Sequence, residues 1–227
     1  IKRWGLAGAF TIQPYPLPFT FQLPGLAPYT CWCRPRKFEA PTDIEFSSGL
    51  ATVTVQLAAE DPWLYGYGSD GGAHVALIAA GGGASGVTFP ATFPVTFQPP
   101  VNDTATLVNA GTVPASPIVV FSAGCNIPRI SNSTTGQSLA FYIHLSANQN
   151  LWVDVARRAV YTFISPPQTL PSVLPGQPYD PTGGTPAINT LIAGSTWPTL
   201  QPGPNTVTFT TYDGSGGVYL AWADTYD

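Results

Sequence analysis

Hydrophobic and polar residues alternate in several short stretches of this chain. Within residues 50–57, an extended strand would carry Val53, Val55 and Leu57 on one face and Thr52, Thr54 and Gln56 on the other. A period of two over this length is typical of a strand with one buried face. The stretch therefore predicts a half-buried β-strand.

The same alternation recurs in the second half of the chain. It predicts inward-facing side chains in four more strands, namely Leu139, Phe141, Ile143 and Leu145; Leu151, Val153 and Val155; Val207 and Phe209; and Val218, Leu220 and Trp222. It places Ser138, Tyr142, His144, Trp152 and Asp154 on the opposite, outward faces. No window shows a sustained period of 3.6 residues, and prolines interrupt nearly every candidate helix. We therefore predict an all-β protein built from sandwiches.

The composition adds a statement about the surface. Charged residues make up only 9% of the 227 residues, whereas hydrophobic residues make up 44%. An isolated soluble domain carries roughly 25% charged residues. The low charge predicts that neighbouring subunits cover much of the surface. An ordinary secreted β protein with a surface rich in Ser, Thr and Asn is the alternative.

The charge pattern also bears on partners. A net charge of −4 with eight basic residues argues against nucleic-acid binding, which needs clustered Lys and Arg. The cluster at 34–37 (Arg34, Arg36 and Lys37 around a proline) is short. We expect it to form salt bridges with Glu39, Asp43 or Glu45, or to meet a partner chain. No apolar run approaches the roughly 20 residues that cross a bilayer.

The three cysteines predict free thiols. Cys31 and Cys33 are two residues apart and share one face of a strand, while Cys125 lies far away in a predicted turn. Zinc sites require a recognisable spacing of four ligands, and neither His74 nor His144 lies near the cysteines in sequence. We expect neither a disulfide framework nor a metal site.

No catalytic set is apparent in the sequence. Glu60 and Asp61 are adjacent and would point to opposite faces of a strand, and Asp61-Pro62 resembles the start of a turn. His144 falls on an outward face. The glycines at 81–86 match G-x-G-x-x-G, but a β-branched, proline-stopped segment follows them where a helix would have to begin. We predict no catalytic, cofactor-binding or metal-binding residues and no enzymatic activity.

Several aromatic side chains are predicted on outward faces. They are Trp152 and Tyr142, with Trp63, Tyr65 and Tyr67 as further candidates. Such rings stack on sugars or become buried in subunit interfaces. The sequence leaves both possibilities open.

Two composition breaks suggest boundaries along the chain. An alternating stretch meets a proline pair at 97–100, and residues 165–186 are rich in Pro, Gly and Thr with little regular pattern. A loop of that length is functional or mobile by default. The chain contains no Met and begins abruptly at Ile1, so we expect it to be a fragment of a longer polypeptide.

Three local motifs together resemble the distal tail proteins of phages with long, non-contractile tails. The first is a strand ending in a corner formed by Asp61, Pro62, Tyr65 and Gly66. The second begins at Asn109 and Gly111 and continues through Asn126, Pro128, Asn132 and Gly136 into the strands at 139–145 and 151–154. The third consists of Trp197, Leu200, Pro202, Gly203, Asn205, Val207 and Phe209. The resemblance covers about residues 34–227.

This resemblance implies two domains and a role in a virion. Residues 1–98 would be the C-terminal part of a tail-tube-like β domain, and 99–227 a galectin-like sandwich with an insertion at 165–186. The family implies a ring of six subunits at the distal end of the tail, bound to the tail tube and to tail-tip, tail-associated and receptor-binding proteins. It implies no catalytic residues and no cofactor. A carbohydrate-binding or adhesin module, with host surface carbohydrate as its partner, is the alternative.

The third motif also has a physical interpretation of its own. Pro202 fixes φ at the first turn position, and Gly203 can adopt the positive φ that a type II turn requires next. Asn205 can bond the loop backbone before a strand at 206–210 continues. We expect Trp197 to close the end of the sandwich.

Overall fold

The computed structural model describes residues 16–39, 53–59, 61–67, 73–79, 103–164, 183–212 and 216–227. This part of the chain is all-β apart from a 3₁₀ turn at Ile188–Thr190. Its strands, in chain order, are β1 Leu17–Phe21, β2 Tyr29–Glu39, β3 Thr54–Ala59, β4 Leu64–Gly66, β5 His74–Ala79, β6 Asp103–Asn109, β7 Ile118–Phe121, β8 Arg129–Asn132, β9 Gln137–Ala140, β10 Gln149–Asp154, β11 Ala159–Ile164, β12 Thr185–Pro186, β13 Gly203–Thr210, β14 Gly217–Trp222 and β15 Asp224–Tyr226. None of the described residues belongs to a helix long and apolar enough to cross a membrane.

The strands form three antiparallel sheets. The N-terminal sheet has the order β1-β2-β4-β15, with β3 also paired to β2. The six-stranded sheet has the order β12-β11-β10-β7-β14-β5, and the four-stranded sheet has the order β6-β13-β8-β9. The all-β prediction is confirmed.

The six-stranded and four-stranded sheets pack face to face around the main core. The alternation predicted the inward side of this sandwich correctly, since Leu139, Phe141, Leu145, Val207 and Phe209 are buried there. Their partners from the other sheet are Leu151, Val153, Val155, Val218, Leu220 and Trp222. Ile143 and Trp197 are partly buried and pack against the same core. Phe121 contacts both Phe141 and Phe209, with ring centroids 5.9 and 6.0 Å apart, and so ties the two sheets together.

The alternation assigned Trp152 to the correct face of its strand, but the expectation that its side chain is exposed on that face is wrong. Trp152 lies on the far side of the six-stranded sheet and is only 1% exposed, within a second apolar cluster on that side. Ile118 and Val120 are buried with it, and Tyr161 packs against the cluster. Alternation identifies the side chains that share a face, but it does not show which of them the neighbouring strands bury.

Asp154, on the same face of β10 as Trp152, is also buried. It precedes the turn at 155–158, where its Oδ1 accepts a hydrogen bond from the Arg157 amide at 3.0 Å and its Oδ2 accepts one from Arg157 Nη1 at 2.9 Å. Arg158 then adopts a positive φ of 54° to complete the turn. The carboxylate is satisfied by the turn that it begins, which explains a buried charge on this strand.

The predicted half-buried strand exists as β3, but its apolar face is not covered by the described residues. Val53 and Val55 are 49% and 40% exposed, and only Leu57 is half-buried. Among the described strands, β3 pairs with β2 alone, so it lies at an edge of this part of the sheet. The sequence therefore predicted the strand correctly, while the burial of its apolar face requires something beyond this part of the chain.

The loop of the third motif is held by buried amides, as its sequence predicts. Gly203 has a φ of 89°. Asn205 Nδ2 donates to the carbonyls of Gln201 and Gly203 at 2.7 and 3.0 Å, and its Oδ1 accepts from the Gln201 amide at 2.9 Å. Asn132 Nδ2 donates to the Thr199 carbonyl at 2.8 Å and to Asn205 Oδ1 at 3.1 Å. The predicted role of Asn205 is confirmed.

Two strand pairs cross the predicted boundary at residue 98. β15, at the C-terminal end, pairs with β4 in the N-terminal sheet, with Thr225 opposite Tyr65. β5 pairs with β14 at the edge of the six-stranded sheet, with His74 opposite Trp222. The division into 1–98 and 99–227 stays a prediction. The first part contributes β5 to the six-stranded sheet, and the second part contributes β15 to the N-terminal sheet. Of the predicted insertion at 165–186, the described end forms β12, which pairs with β11.

Candidate functional site

The residues considered for chemistry have structural partners instead. Asp61 Oδ1 accepts a hydrogen bond from the Trp63 amide at 3.2 Å, and its Oδ2 accepts one from the Tyr65 hydroxyl at 2.8 Å. The predicted turn role of Asp61 is therefore confirmed. Glu60, the glycines at 81–86, and the expected acidic partners Asp43 and Glu45 lie outside the described residues.

The two histidines lie in different settings. His144 is exposed and forms an isolated bridge with Asn126. His74 Nε2 is 3.1 Å from Asp224 Oδ2, and its ring lies 5.5 Å from that of Trp222. Among the residues that the structure describes, no group of three His, Cys, Asp or Glu side chains could hold a metal ion. The three cysteines form no disulfide bond with one another, and Cys31 and Cys33 lie side by side.

A buried asparagine organises the joint between the sandwich and the N-terminal sheet. Asn109, at the end of β6, has no exposed surface. Its Nδ2 donates to the carbonyls of Val113 and Leu200 at 2.9 and 3.0 Å. Its Oδ1 accepts from the Gly111 amide at 2.9 Å and from the Thr225 amide at 3.4 Å. One side chain thus connects β6, the loop before β13 and the C-terminal strand.

The C-terminal strand is fixed from both sides at this joint. The Thr225 carbonyl accepts hydrogen bonds from the amides of Thr112 and Val113 at 2.9 and 3.1 Å. Asp224 Oδ1 accepts from the Ala110 amide at 2.7 Å, while its Oδ2 faces His74. The arrangement holds the two parts of the chain in one orientation.

Most of the aromatic residues predicted on outward faces are structural. Tyr65 is buried, and its ring stacks on that of Tyr67 at 6.3 Å; Tyr67 accepts a hydrogen bond from Trp32 Nε1 at 3.0 Å. Burial raises the pKa of Tyr65, and the neighbouring Asp61 carboxylate adds to that rise. Burial also raises the pKa of Tyr67. With Trp152 buried as well, Tyr142 is the strongly exposed member of the set, at 75%, and Trp63 is partly exposed.

The surface feature that fits a binding role is a set of apolar side chains at strand edges and at a hairpin tip. It comprises Val53 and Val55 at β3, Val75 and Leu77 on β5, and Phe19, Leu23 and Leu26 in the β1–β2 hairpin. We call this set the apolar edge residues. Val75 and Leu77 are 51% and 55% exposed on β5, which is the last strand of its sheet in the part of the chain that the structure describes. Single exposed apolar residues are ordinary, but alternating ones on edge strands are typical of strands that meet another chain.

The sequence interpretation identified only part of this set. It selected Val53 and Val55 through their alternation, but not Val75, Leu77 or the hairpin residues. Val75 and Leu77 lie in an apolar run with Ala76 and Ile78, so no alternation of apolar and polar residues marked them. The hairpin residues carried no such signal, because Leu23 and Leu26 lie in the loop between β1 and β2.

The comparisons with known proteins rest on structure. No family model matches the chain, and no curated protein matches it. A solved structure that it resembles is the Dit protein of phage SPP1, described as a paradigm of the hub adsorption apparatus in phages that infect Gram-positive bacteria. The likeness has a TM-score of 0.53 at 14% identity and covers 95% of this chain and 66% of that protein. The chain thus shares the fold and spans about two thirds of that protein's length.

Proposed function

We propose that the chain is a structural virion protein, a subunit of the distal tail hub of a phage with a long, non-contractile tail. The observation that carries the proposal is the likeness over 95% of the chain to a phage hub adsorption protein. The sequence motifs around Asp61, Asn109 and Trp197 support the same family independently, because they were identified without any structural comparison. Fold alone does not fix function, so the assembly itself must be tested.

In this proposal the chain forms a ring of six copies that joins the tail tube to the tail-tip and receptor-binding apparatus. The N-terminal part would continue the tube, and the sandwich, as a galectin-like domain, would lie on the outside as an adaptor. The apolar edge residues support such an assembly, because edge strands with exposed apolar side chains otherwise invite unspecific pairing. Low overall charge fits a surface that neighbours cover.

The proposal includes no catalytic step. The carboxylates and histidines discussed above bond to backbone or to neighbouring side chains rather than converging on a cleft. The mechanism is geometric. The joint at Asn109 and Thr225 holds the sandwich at a fixed orientation to the N-terminal sheet, so that a ring built by one part would present the other in a regular array.

The decisive experiment measures the ring directly. Purified chain is examined by mass photometry and by class averages of negatively stained particles. We expect particles of six subunits with six-fold symmetry. Monomers at every concentration, or a ring of another symmetry, would contradict the proposal.

A matched pair of variants tests the edge. Val55→Asp puts a charge on the exposed apolar face of β3, while Thr54→Asp puts the same charge on the neighbouring, also exposed, position of the other face. We expect Val55→Asp to abolish the ring and Thr54→Asp to preserve it, with circular dichroism unchanged in both. Loss of the ring in both variants would show that the apolar face is not the contact.

A glycan-binding module stays as a second candidate because of two exposed tyrosines. Tyr142 and Tyr212 are 75% and 80% exposed. Tyr212 donates its amide to the Asn126 carbonyl, and Asn126 is the bridge partner of His144. Exposed aromatic rings above a flat polar sheet can stack on sugars. Glycan-array binding that Tyr142→Ala removes, by a chain that is monomeric in solution, would favour this function over the hub.

A further inference from the structure

Cys31 and Cys33 place two thiols side by side on β2. Their Sγ atoms are 3.2 Å apart. Cys31 is half-exposed, whereas Cys33 is buried. Trp32 between them points to the other face, where it packs with Tyr65 and Ala223. The strand therefore presents a pair of thiols of which one is accessible from solvent.

The neighbouring strands hold the pair in place. Cys31 lies opposite Phe19 of β1, and Cys33 lies between Leu17 of β1 and Ala59 of β3. β2 is thus flanked on both sides at Cys33. Cys31 Sγ also lies 3.7 Å from the Phe19 carbonyl. Backbone pairing on both sides keeps the two thiols together.

The chemistry open to this pair is that of a dithiol. Among the described residues, no third Cys, His, Asp or Glu side chain joins it to form a metal site. Burial, followed by the contact with Cys31, raises the pKa of Cys33 to about 12. The half-exposed Cys31 is then the thiol that an external oxidant meets first, and Cys33 is the thiol placed to resolve the product.

We propose that Cys31 and Cys33 are a redox modification site that closes to an intrastrand disulfide under a two-electron oxidant such as hydrogen peroxide. In the first step the Cys31 sulfur takes one oxygen from the peroxide and becomes a sulfenic acid, releasing one water. In the second step the Cys33 sulfur attacks the Cys31 sulfur, and the sulfenic hydroxyl leaves with the Cys33 proton as a second water. The two thiols are oxidised by two electrons, and the peroxide is reduced by two.

Closing the bond requires β2 to contract locally, because the Cβ atoms of two residues on the same face of an extended strand are farther apart than the roughly 3.5–4.5 Å that a disulfide spans. Residues two apart on a strand have Cα atoms about 6.6–6.8 Å apart, at the upper end of the roughly 4.4–6.8 Å found in disulfides. The bond is therefore strained. Strained, partly exposed disulfides are readily reduced and serve as labile sites rather than permanent staples. The site does not depend on the proposed tail function, since it requires only the β2 strand.

Mass spectrometry of the folded full chain tests the proposal. After treatment with hydrogen peroxide, the chain is unfolded in denaturant and the remaining thiols are alkylated. We expect a mass lower by two hydrogen atoms and one alkylated cysteine, Cys125, which is buried in the folded chain. In the peptide that contains both Cys31 and Cys33, backbone fragmentation between them should be suppressed until dithiothreitol is added. Cys31→Ser should abolish the mass change, and Cys125→Ser should retain it.

Other products would overturn the proposal. They are an unchanged mass with both thiols still alkylated, stable addition of oxygen to Cys31, and a disulfide between two chains. The peptide mapping keeps the result decisive even if a substitution prevents folding, because it locates the bond in the unsubstituted protein.

Discussion

Gly111 lies against the backbone of Thr225 with no room for a side chain between them. A Cβ on Gly111 would overlap the carbonyl oxygen of Thr225 and crowd its amide nitrogen. Thr225 cannot move aside, because it pairs with Tyr65 and accepts hydrogen bonds from Thr112 and Val113. The glycine of the motif that begins at Asn109 is thus required by a close backbone contact rather than by a turn.

Replacing Gly111 with Ala should therefore disrupt the contact between residue 111 and the backbone of Thr225. The clash is with backbone atoms, so we expect a loss of about 3 kcal/mol or more in the free energy of unfolding, at the upper end of overpacking costs. For a chain of this size that corresponds to a melting temperature lower by roughly 6–12 °C. Differential scanning calorimetry measures it. Ala110→Ser, at the exposed neighbouring position, serves as the control and should change the melting temperature little.

Asn109→Asp should destabilise the protein in a pH-dependent way. The substitution keeps the shape but points a carboxylate oxygen at the carbonyls of Val113 and Leu200, where the amide now donates. A buried, unpaired charge of this kind costs several kcal/mol, on the order of 3 or more. Urea unfolding at neutral pH measures the loss. Asn148→Asp, on an exposed turn, is the matched control.

The sign of the pH dependence follows from the pKa of the new carboxyl. Burial among carbonyls raises its pKa in the folded state above the value of about 3.9 in the unfolded chain. The folded variant then binds a proton more readily than the unfolded variant does. The difference between variant and parent in the free energy of unfolding should therefore be largest near neutral pH and shrink as the pH falls toward 5. A difference that stays constant across this range would contradict the buried location.

Trp152 and Tyr142 should respond oppositely to truncation. Both were predicted on outward faces, but Trp152 is buried in the second apolar cluster. Trp152→Ala should cost about 3–5 kcal/mol, as for other large core aromatics. Tyr142→Ala should stay within about 0.5 kcal/mol, as is usual for exposed positions. Chemical unfolding of the two variants compares them directly, and equal effects would show that the outer cluster is not packed.

The buried tyrosines predict a loss of stability in alkali. Burial raises the pKa values of Tyr65 and Tyr67, so the unfolded chain ionises first as the pH rises above about 10. The stability contributed by the neutral forms is complete below that pH and is lost progressively above it. Urea unfolding at a series of alkaline pH values measures how steeply the free energy of unfolding falls as the pH rises. Tyr65→Phe should make this fall less steep. An unchanged pH dependence would show that Tyr65 is exposed to solvent.

The fold was predictable where alternation alone decides it. The strands around Phe141, Val153, Phe209 and Leu220 face inward as predicted, because a sandwich buries one side of each strand against the other sheet. The burial of Trp152 was not predictable, since nothing local to β10 shows that Ile118 and Val120 of β7 and Tyr161 of β11 form an apolar cluster with it. The pairing of β15 with β4 was equally hidden, because it joins residues far apart in sequence and depends on which edges remain free.

The site was predictable only as local turn chemistry. Asp61 and Asn205 bond their own loops, so sequence spacing was enough to identify their roles. Asn109 reaches Leu200 and Thr225 across the molecule, and the sequence showed only that it lies in a family-like motif. Exposure of Val75 and Leu77 follows from the position of β5 at a sheet edge, which is a property of the whole topology.

The exchange of strands across the middle of the chain has a consequence for synthesis. β4 is synthesised long before its partner β15, and β5 likewise long before β14. Pairings this distant in sequence form slowly. Until β14 and β15 have been translated, β4 and β5 lack these partners, and in this interval the nascent chain is most open to aggregation and to chaperones.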